Sequence, residues 1–287
     1  MTLLDSFLFM KVIASIVTYN SDIHRLKLNI EAILSQVNEI IIIDNGSSNV
    51  DDIQKYISKY ESITIIKNCT NKGIATALNQ AAEYAVRKGY EWIITLDQDS
   101  VAPENLVSTY SKFTYCNDIG IVCCKIVDRN FGELKEQKLK TKGYEEVPMC
   151  ITSASMMNLN AWKQVGGFDE KMFIDSVDFD ICLSMREYGL KIILTYDAAL
   201  LHEVGHSEIR KLFGKEYQIY HHSPLRYYYM VRNGIYLGKK HNFTIRAIYR
   251  AFRLFFLVIL FEDDKFHKAK MMSLGFYHAI IHRYGKL

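Results

Sequence analysis

Along the first hundred residues, short β-branched and aliphatic runs alternate with segments whose apolar positions recur at helical spacing. Val12–Thr18 (VIASIVT), Glu39–Asp44 (EIIIID), Ile63–Lys67 (ITIIK) and 92–96 (WIITL) are near-continuous apolar runs of strand length, the pattern of strands covered on both faces. Between them Ile23–Leu34, 51–60 and 73–88 read as helices. In the last of these Ile74, Ala77, Leu78, Ala81 and Ala85 fall on one face. Strand–helix alternation predicts right-handed crossovers and a mainly parallel sheet with helices on both faces. Ligands of such sheets sit at the carboxyl ends of the strands. Three of those ends carry polar clusters: Thr18-Tyr19-Asn20, Asp44-Asn45-Gly46-Ser47 and Asp97-Gln98-Asp99. Ordinary turn chemistry accounts for any one of them. Three at the same edge point to a site.

After Gly120 the pattern changes. Segments 121–127, 151–158 and 191–196 read as strands, 178–188 as a helix, and the charged stretch 128–142 as a solvated loop or hairpin. From Tyr217 the chain reads as helical to its end.

Composition narrows the classes. With 287 residues and 49% hydrophobic content the chain can bury a sizeable core. A net charge of +3 is too small to argue for a nucleic-acid partner, and none is expected. The six cysteines form no C-x-x-C pair, which favours free thiols in a cytoplasmic protein over a zinc ribbon or disulfides. The start, MTLLDSFLFMK, lacks a basic n-region and is not expected to be a signal peptide; Met10 is an alternative start. The longest apolar run, 254–261, is far short of the roughly 20 residues a spanning helix needs.

Asp97 and Asp99 stand two apart at a strand end, so both carboxylates can face one cleft. Two hard oxygen ligands suit Mg²⁺ or Mn²⁺ completed by substrate phosphates. Asp175, Asp178 and Asp180 lie at the start of a helix, where capping and dipole compensation are the ordinary role of carboxylates.

VTYN (17–20), IIDNGS (42–47), NKGIATALN (71–79) and TLDQDS (95–100) follow one another in order and at the expected spacing. Together they resemble the nucleotide-binding half of an inverting family 2 glycosyltransferase with the GT-A fold. NKGIA-x-A-x-N followed by LDQDS is similar to the bacterial rhamnosyltransferase branch, as are WKQVGGFDEKMFIDSVDFDICLSMREYGLKI (162–192) and HEVGHS (202–207). The resemblance covers roughly residues 11 to 240. It implies an α/β domain over 1–215, with a nucleotide-binding half at about 11–100 and an acceptor half at 101–215, followed by a helical region over 216–287. It further implies a dTDP-rhamnose donor and a growing cell-surface glycan or lipid-linked acceptor, with galactofuranose, hexose or another deoxy sugar as alternative donors. Thr18, Tyr19, Asn20, Asp44, Asn45 and Ser47 would line the nucleotide pocket. Asn71, Gly73 and Ala75 would pack against the sugar or diphosphate. Asp99 would hold the metal, with Asp97 nearer the nucleoside sugar or as a further metal ligand, Gln98 among the donor-binding residues, and His202 as an additional metal or diphosphate ligand. The family keeps its general base where Asp178 stands, with Asp175 a second candidate. Gly167, Phe168 and Asp169 look like the acceptor-side loop, with Asp175 also on the acceptor side. Arg232, in a Y-Y-x-x-R-N segment, could meet the diphosphate, while an aromatic helix face packed on the core is the plainer reading of its tyrosines.

Two readings of other classes compete. His202-Glu203-x-x-His206 is a literal H-E-x-x-H, which on a helix binds zinc in metalloproteases. The longer signature would continue with Gly at 209 and His at 212, where this chain has Ile209 and Leu212. A non-catalytic nucleotide-sugar binder would keep the pocket and lose the base. Finally, 243–261 places Arg246, Arg250 and Arg253 near one face of an apolar helix. That suits a membrane interface at the inner face of the plasma membrane, packing on the domain, or a homodimer contact.

Overall fold

The computed structural model describes residues 11–128, 132–133, 143–202, 208–212 and 214–287. The first half follows the predicted alternation: β1 (Val12–Thr18), α1 (Ile23–Leu34), β2 (Glu39–Asp44), α2 (Val50–Ile57), β3 (Ile63–Lys67), α3 (Ile74–Arg87) and β4 (Trp92–Asp97). The second half comprises α4 (Leu106–Tyr110), β5 (Ile119–Asp128), β6 (Gly132–Glu133), β7 (Tyr144–Glu146), β8 (Ser155–Asn158), α5 (Leu159–Gln164), α6 (Val177–Glu187), β9 (Lys191–His202), β10 (Glu208–Leu212) and β11 (Lys215–Ile219). Three helices close the chain: α7 (Pro224–Lys240), α8 (Thr244–Phe261) and α9 (Lys265–Ile280).

Nine strands form one sheet in the order β3-β2-β1-β4-β8-β5-β9-β7, with β6 beside β5. The first four are parallel to one another, as the apolar runs require. β8 enters antiparallel between β4 and β5, and β7 pairs antiparallel with β9. One core layer packs α1, α2 and α4 on one face, around Leu26, Ile30, Ile42, Ile94 and Tyr110. The other places α3, α5 and α6 on the opposite face, around Ile41, Ala81, Ile93, Met157 and Ile181.

Three departures from expectation have physical causes. The strand expected at 151–158 begins only at Ser155, because the Thr95 hydroxyl donates to the Thr152 carbonyl at 2.5 Å and holds 152 in a turn. β9 runs on to His202 past a register shift against β5 between Cys124 and Lys125. Residues 217–219, where the C-terminal helix was expected to start, belong to a β10–β11 hairpin, and the helix begins at Pro224 behind the Ser223 N-cap.

The C-terminal helices have a cluster of their own, built on Tyr227, Val231, Ile235, Val258 and Met272. Polar contacts join it to the sheet domain. Asp180, fully buried, accepts from Lys240 Nζ at 2.8 Å and lies 2.9 Å from His241 Nε2, so its role is structural.

Asn79 of α3 ties down the loop that precedes α6. Its Nδ2 donates to the Phe168 carbonyl at 2.9 Å and to Glu170 at 2.9 Å. Its Oδ1 accepts from the Phe168 amide at 2.9 Å and from Trp162 Nε1 at 3.2 Å. Asn79→Ala leaves buried backbone groups unpaired and is expected to lower unfolding free energy by about 2–4 kcal/mol. Urea denaturation measures the loss.

Candidate functional site

Register brings the polar strand ends level. Thr18 pairs with Asp44 across β1–β2, and Val17 with Asp97 across β1–β4. At this edge Asp44 is buried and its carboxylate accepts from the Thr18 hydroxyl at 3.1 Å and from the Gly46 and Ser47 amides at 3.2 and 3.0 Å. Asp44 and Thr18 therefore shape the turn from behind and are not among the residues that line the cleft. Asn20 and Ser47 brace the same turn, the Asn20 amide donating to Ser47 Oγ at 2.9 Å.

Asn45 spans the next gap. Its Nδ2 donates to Asn71 Oδ1 and the Gly73 carbonyl, both at 3.1 Å, while its Oδ1 accepts from the Lys72 amide at 3.0 Å. Gly73 has φ +90, and a Cβ there would lie 2.5 Å from the Phe173 carbonyl oxygen, so only glycine lets the two segments meet. That same carbonyl accepts from the Ile74 amide at 2.7 Å and closes the first turn of α3. Across the edge, Gln98 Oε1 accepts from the Tyr19 amide at 2.9 Å and from Ser21 Oγ at 2.7 Å.

These segments open on a cleft of about 1400 Å³. That exceeds the volume one drug-sized ligand fills and leaves room for two substrates. Tyr19, Asn45, Asn71, Gly73, Asp97, Gln98 and Asp99 line it at the strand ends, and Asp178 lines the same cleft from the start of α6. Tyr220, His221, His222, Ser223 and Arg226 complete it from the C-terminal side, and none of these five was anticipated. Ser223-Pro224 is an N-cap followed by a proline at the first helical position, a signal that could have placed the helix start and left the histidines in a loop.

Several expected site residues lie elsewhere. Arg232 is 1% exposed, with its guanidinium 4.8 Å from the Tyr229 ring centroid. It donates to the carbonyls of Gly285 at 2.6 Å and Lys171 at 3.3 Å, so its donors serve the fold and not a diphosphate. Its neighbour Asn233 donates to the carbonyls of Met172, Ile174 and Asp175 at 2.8, 2.6 and 3.1 Å. The pair thus holds the segment that presents Asp175. Ala75 is buried in the α3 core and offers no surface to a sugar. Gly167 packs on Asn79 and Trp162, Phe168 is buried, and Asp169 accepts from Tyr236 at 2.8 Å and Lys240 at 3.1 Å. The 167–169 segment is consequently a joint between α3 and α7 and is not part of the cleft lining.

The backbone is strained where the base candidates stand. Phe173, Asp175 and Ser176 have φ of +39, +66 and +66, a concentration typical of functional sites. Burial raises the Asp178 carboxyl to about 6, against the pull of its bond from the Phe179 amide; the negative charges of Asp175 and Asp97 add to the rise. Burial also raises the Asp175 carboxyl, with Arg226 at 3.5 Å opposing it. One Asp175 oxygen, Oδ2, is buried without a partner. His222 is driven down to about 4 by burial and by the Arg226 charge, so it is neutral at ordinary pH.

As a cation site, the strand end fits in part. Asp97 and Asp99 offer hard oxygens to the cleft, and a neighbouring bond (Asn29 Nδ2 to the Asp97 carbonyl, 2.6 Å) fixes the backbone between them and α1. Among the described residues no three His, Cys, Asp or Glu groups converge to hold a metal alone. That donor set matches a cation completed by substrate phosphates. His202 closes β9, an extended segment, so H-E-x-x-H does not begin on a helix; 203–207 lie outside the described residues.

Residues 14–178 match the model of the family described as glycosyl transferase family 2. The dTDP-rhamnosyl transferase RfbF of Shigella flexneri is 29% identical over 244 residues, 80% of this chain and 81% of that protein. Among solved structures, S. aureus TarS 1–349 in complex with UDP-GlcNAc superposes with TM-score 0.61 at 14% identity, covering 94% of this chain and 82% of that one. GalNAc-T7 with UDP, GalNAc and Mn²⁺ superposes with TM-score 0.57 at 16% identity over 81% of this chain, which spans 54% of that protein. With a mixed sheet covered by helices and a helical C-terminal region, this chain belongs to glycosyl transferase family 2 and is a glycosyltransferase of GT-A fold, similar to a bacterial rhamnosyltransferase.

Proposed function

We propose that the protein transfers L-rhamnose from dTDP-β-L-rhamnose to a hydroxyl of a glycan or lipid-linked acceptor by a single inverting displacement. One observation carries this reading: Asp178, with its carboxyl raised to about 6, opens on the same cleft as Asp97 and Asp99. The choice of donor rests on the similarity to RfbF. The cytoplasm is the compartment this reading expects.

In this reading Tyr19, Asn45, Asn71 and Gln98 hold the nucleoside diphosphate against the strand ends. A divalent cation held by Asp99, with Asp97 beside it, would supply charge neutralisation for the diphosphate. Asp178 takes the proton from the acceptor hydroxyl. The acceptor oxygen then bonds to the anomeric carbon as the bond to the diphosphate oxygen breaks from the opposite face, which yields an α-rhamnoside and a free nucleoside diphosphate. A base near pKa 6 is ionised at neutral pH yet more basic than an ordinary aspartate, which suits proton removal there. Arg226, which lines the cleft on the C-terminal side and stands 3.5 Å from Asp175, would help to position the acceptor.

The direct test incubates the protein with dTDP-rhamnose, UDP-sugars and GDP-sugars, with Mg²⁺ or Mn²⁺ and with EDTA. Metal-dependent binding and slow release of nucleotide from dTDP-rhamnose alone are expected. Selective use of a UDP-sugar would overturn the donor and leave the mechanism standing. Binding without turnover, even with acceptor extracts, would favour a nucleotide-sugar binder.

Asp178→Asn is expected to leave donor affinity within about twofold while kcat falls by about 10²–10⁴. In the wild type, log kcat/KM should rise with pH to a plateau above about 6, because the base acts in its ionised form. The same group makes a stability prediction. Its folded-state carboxyl binds a proton more readily than the unfolded one, so the fold loses stability as pH rises from about 4 through about 6. Asp178→Asn should therefore be more stable than wild type by about 1–3 kcal/mol at neutral pH, the gap closing towards pH 4. A variant no more stable than wild type would remove the burial that the base role requires. Asp99→Ala should weaken donor binding in Mg²⁺ and abolish its sensitivity to EDTA, read by calorimetry; unchanged affinity under both conditions would remove Asp99 from the metal role.

A further inference from the structure

Helix α8 is apolar on two opposite faces, and only one of them is covered. Ala247, Leu257 and Val258 are buried, and Ile248, Ala251, Leu254 and Phe255 pack with them against α7 and α9. On the other side Ile245, Tyr249, Phe252, Phe256 and Ile259 recur at steps of four and three, so they form one stripe along the helix. These side chains are 87, 67, 63, 54 and 39% exposed. A helix that is apolar all round is ordinarily buried all round, and a contiguous exposed apolar patch marks an interaction surface. The patch continues onto α9, where the Phe276 ring lies 5.8 Å from that of Phe252 and Ile280 is 54% exposed one turn on.

The edge of the stripe identifies the occupant. Arg246, Arg250 and Arg253 repeat the same four-and-three spacing one position later, so they form a basic row alongside the aromatic one. Residues 243–287 hold eight Lys and Arg against three Asp and Glu, although the whole chain carries only +3. An aromatic and aliphatic stripe flanked by guanidinium groups is complementary to the boundary between acyl chains and anionic headgroups. A second copy is a poorer match, because antiparallel two-fold pairing across the stripe brings both arginine rows to the same side. No helix among the described residues is long and apolar enough to cross a membrane, so the contact lies in the membrane plane.

The surface ends beside the cleft. Glu262, the residue after α8, is buried; it accepts from the His221 amide at 3.0 Å, from Lys268 Nζ at 2.6 Å and from the Tyr227 hydroxyl. His221 lines the cleft. We propose that the exposed face of α8, with its continuation on α9, docks the protein in the plane of an anionic lipid surface and sets the His221 side of the cleft against that surface. The docking stands on these helices alone; its use, to admit an acceptor hydroxyl carried on a membrane lipid, rests on the transfer reading above.

Flotation or sedimentation of the full chain with phosphatidylcholine vesicles, with and without one-third phosphatidylglycerol, tests this without reference to activity. Binding to the anionic vesicles, weakened by high salt, is expected. Phe252→Ser/Phe256→Ser should lower partitioning on the order of tenfold or more, and Arg246→Gln/Arg250→Gln by about tenfold on anionic vesicles only. All four side chains are exposed, and circular dichroism confirms that each variant keeps its fold. Wild-type protein that stays in solution with both vesicle types overturns the proposal. So does vesicle-free self-association, seen by sedimentation velocity and lost in the Phe252→Ser/Phe256→Ser variant, which would assign the face to a second copy. Vesicle binding without any sugar transfer would leave the docking in place and count against the transfer reading alone.

Discussion

Parallel strands that end in register at one sheet edge bring their last polar groups together, and those groups must be paired or solvated. In this protein the pairing builds the site. The Asp44 carboxylate turns the chain sharply after β2, and the Asn45 side chain reaches across to hold residues 71–73. Gly73 then lets Phe173 approach, so the segment leading to Asp175 and Asp178 is anchored to the nucleotide-side wall. Remove the bond network at the strand ends and the two halves of the cleft lose their fixed relation. The walls hold their spacing because backbone amides and carbonyls, which cannot rotate away, make most of the connections.

How much of this was legible in the sequence differs by kind of residue. The strands and helices of the first half were readable because their apolar periods are unambiguous, and Asp97 and Asp99 followed from strand alternation. Orientation off the strands was less readable. Arg232 and Asp169 stand in segments that match the resemblance as well as Asp178 does, but burial decides their roles, and burial depends on which helix covers them. Arg232 disappears between Tyr228 and Tyr229 because α9 and the chain's end close over α7, a long-range event without a local signal. The β10–β11 hairpin was hidden for another reason: EIRKL and KEYQI alternate weakly and lie on the surface, so their pairing owes little to an apolar pattern.

The second wall shows why folding and chemistry pull apart here. Asp175 and Asp178 are carboxylates that burial raises, the Asp175 charge adding to the rise at Asp178, on backbone with two consecutive residues at positive φ. Each of these features destabilises the fold. They persist because Asn233 and Arg232 fix the carbonyls beneath them and because Asp180, one turn into α6, is fully paired with Lys240 and His241. The strain is thus held by structure on its C-terminal side. This gives α7 a task beyond packing: it fixes the backbone that aims the candidate base.

That dependence also links the far end of the chain to the cleft. Burial alone would raise the Glu262 carboxyl, but bonds from Lys268, Tyr227 and the His221 amide hold it below its ordinary value, so it stays charged at the joint. One carboxylate therefore ties the end of α8, the start of α9 and the His221 loop into a single unit. The end of α8 is thereby joined to a residue that lines the cleft, His221. A membrane-docking helix placed at random on the surface would bring the enzyme near its lipids and leave the cleft free to face anywhere. With the joint at Glu262, docking through α8 would also set how the His221 side of the cleft meets the surface. Orientation, more than affinity, is what an enzyme acting on a tethered acceptor requires, since a tethered hydroxyl can approach from one side only.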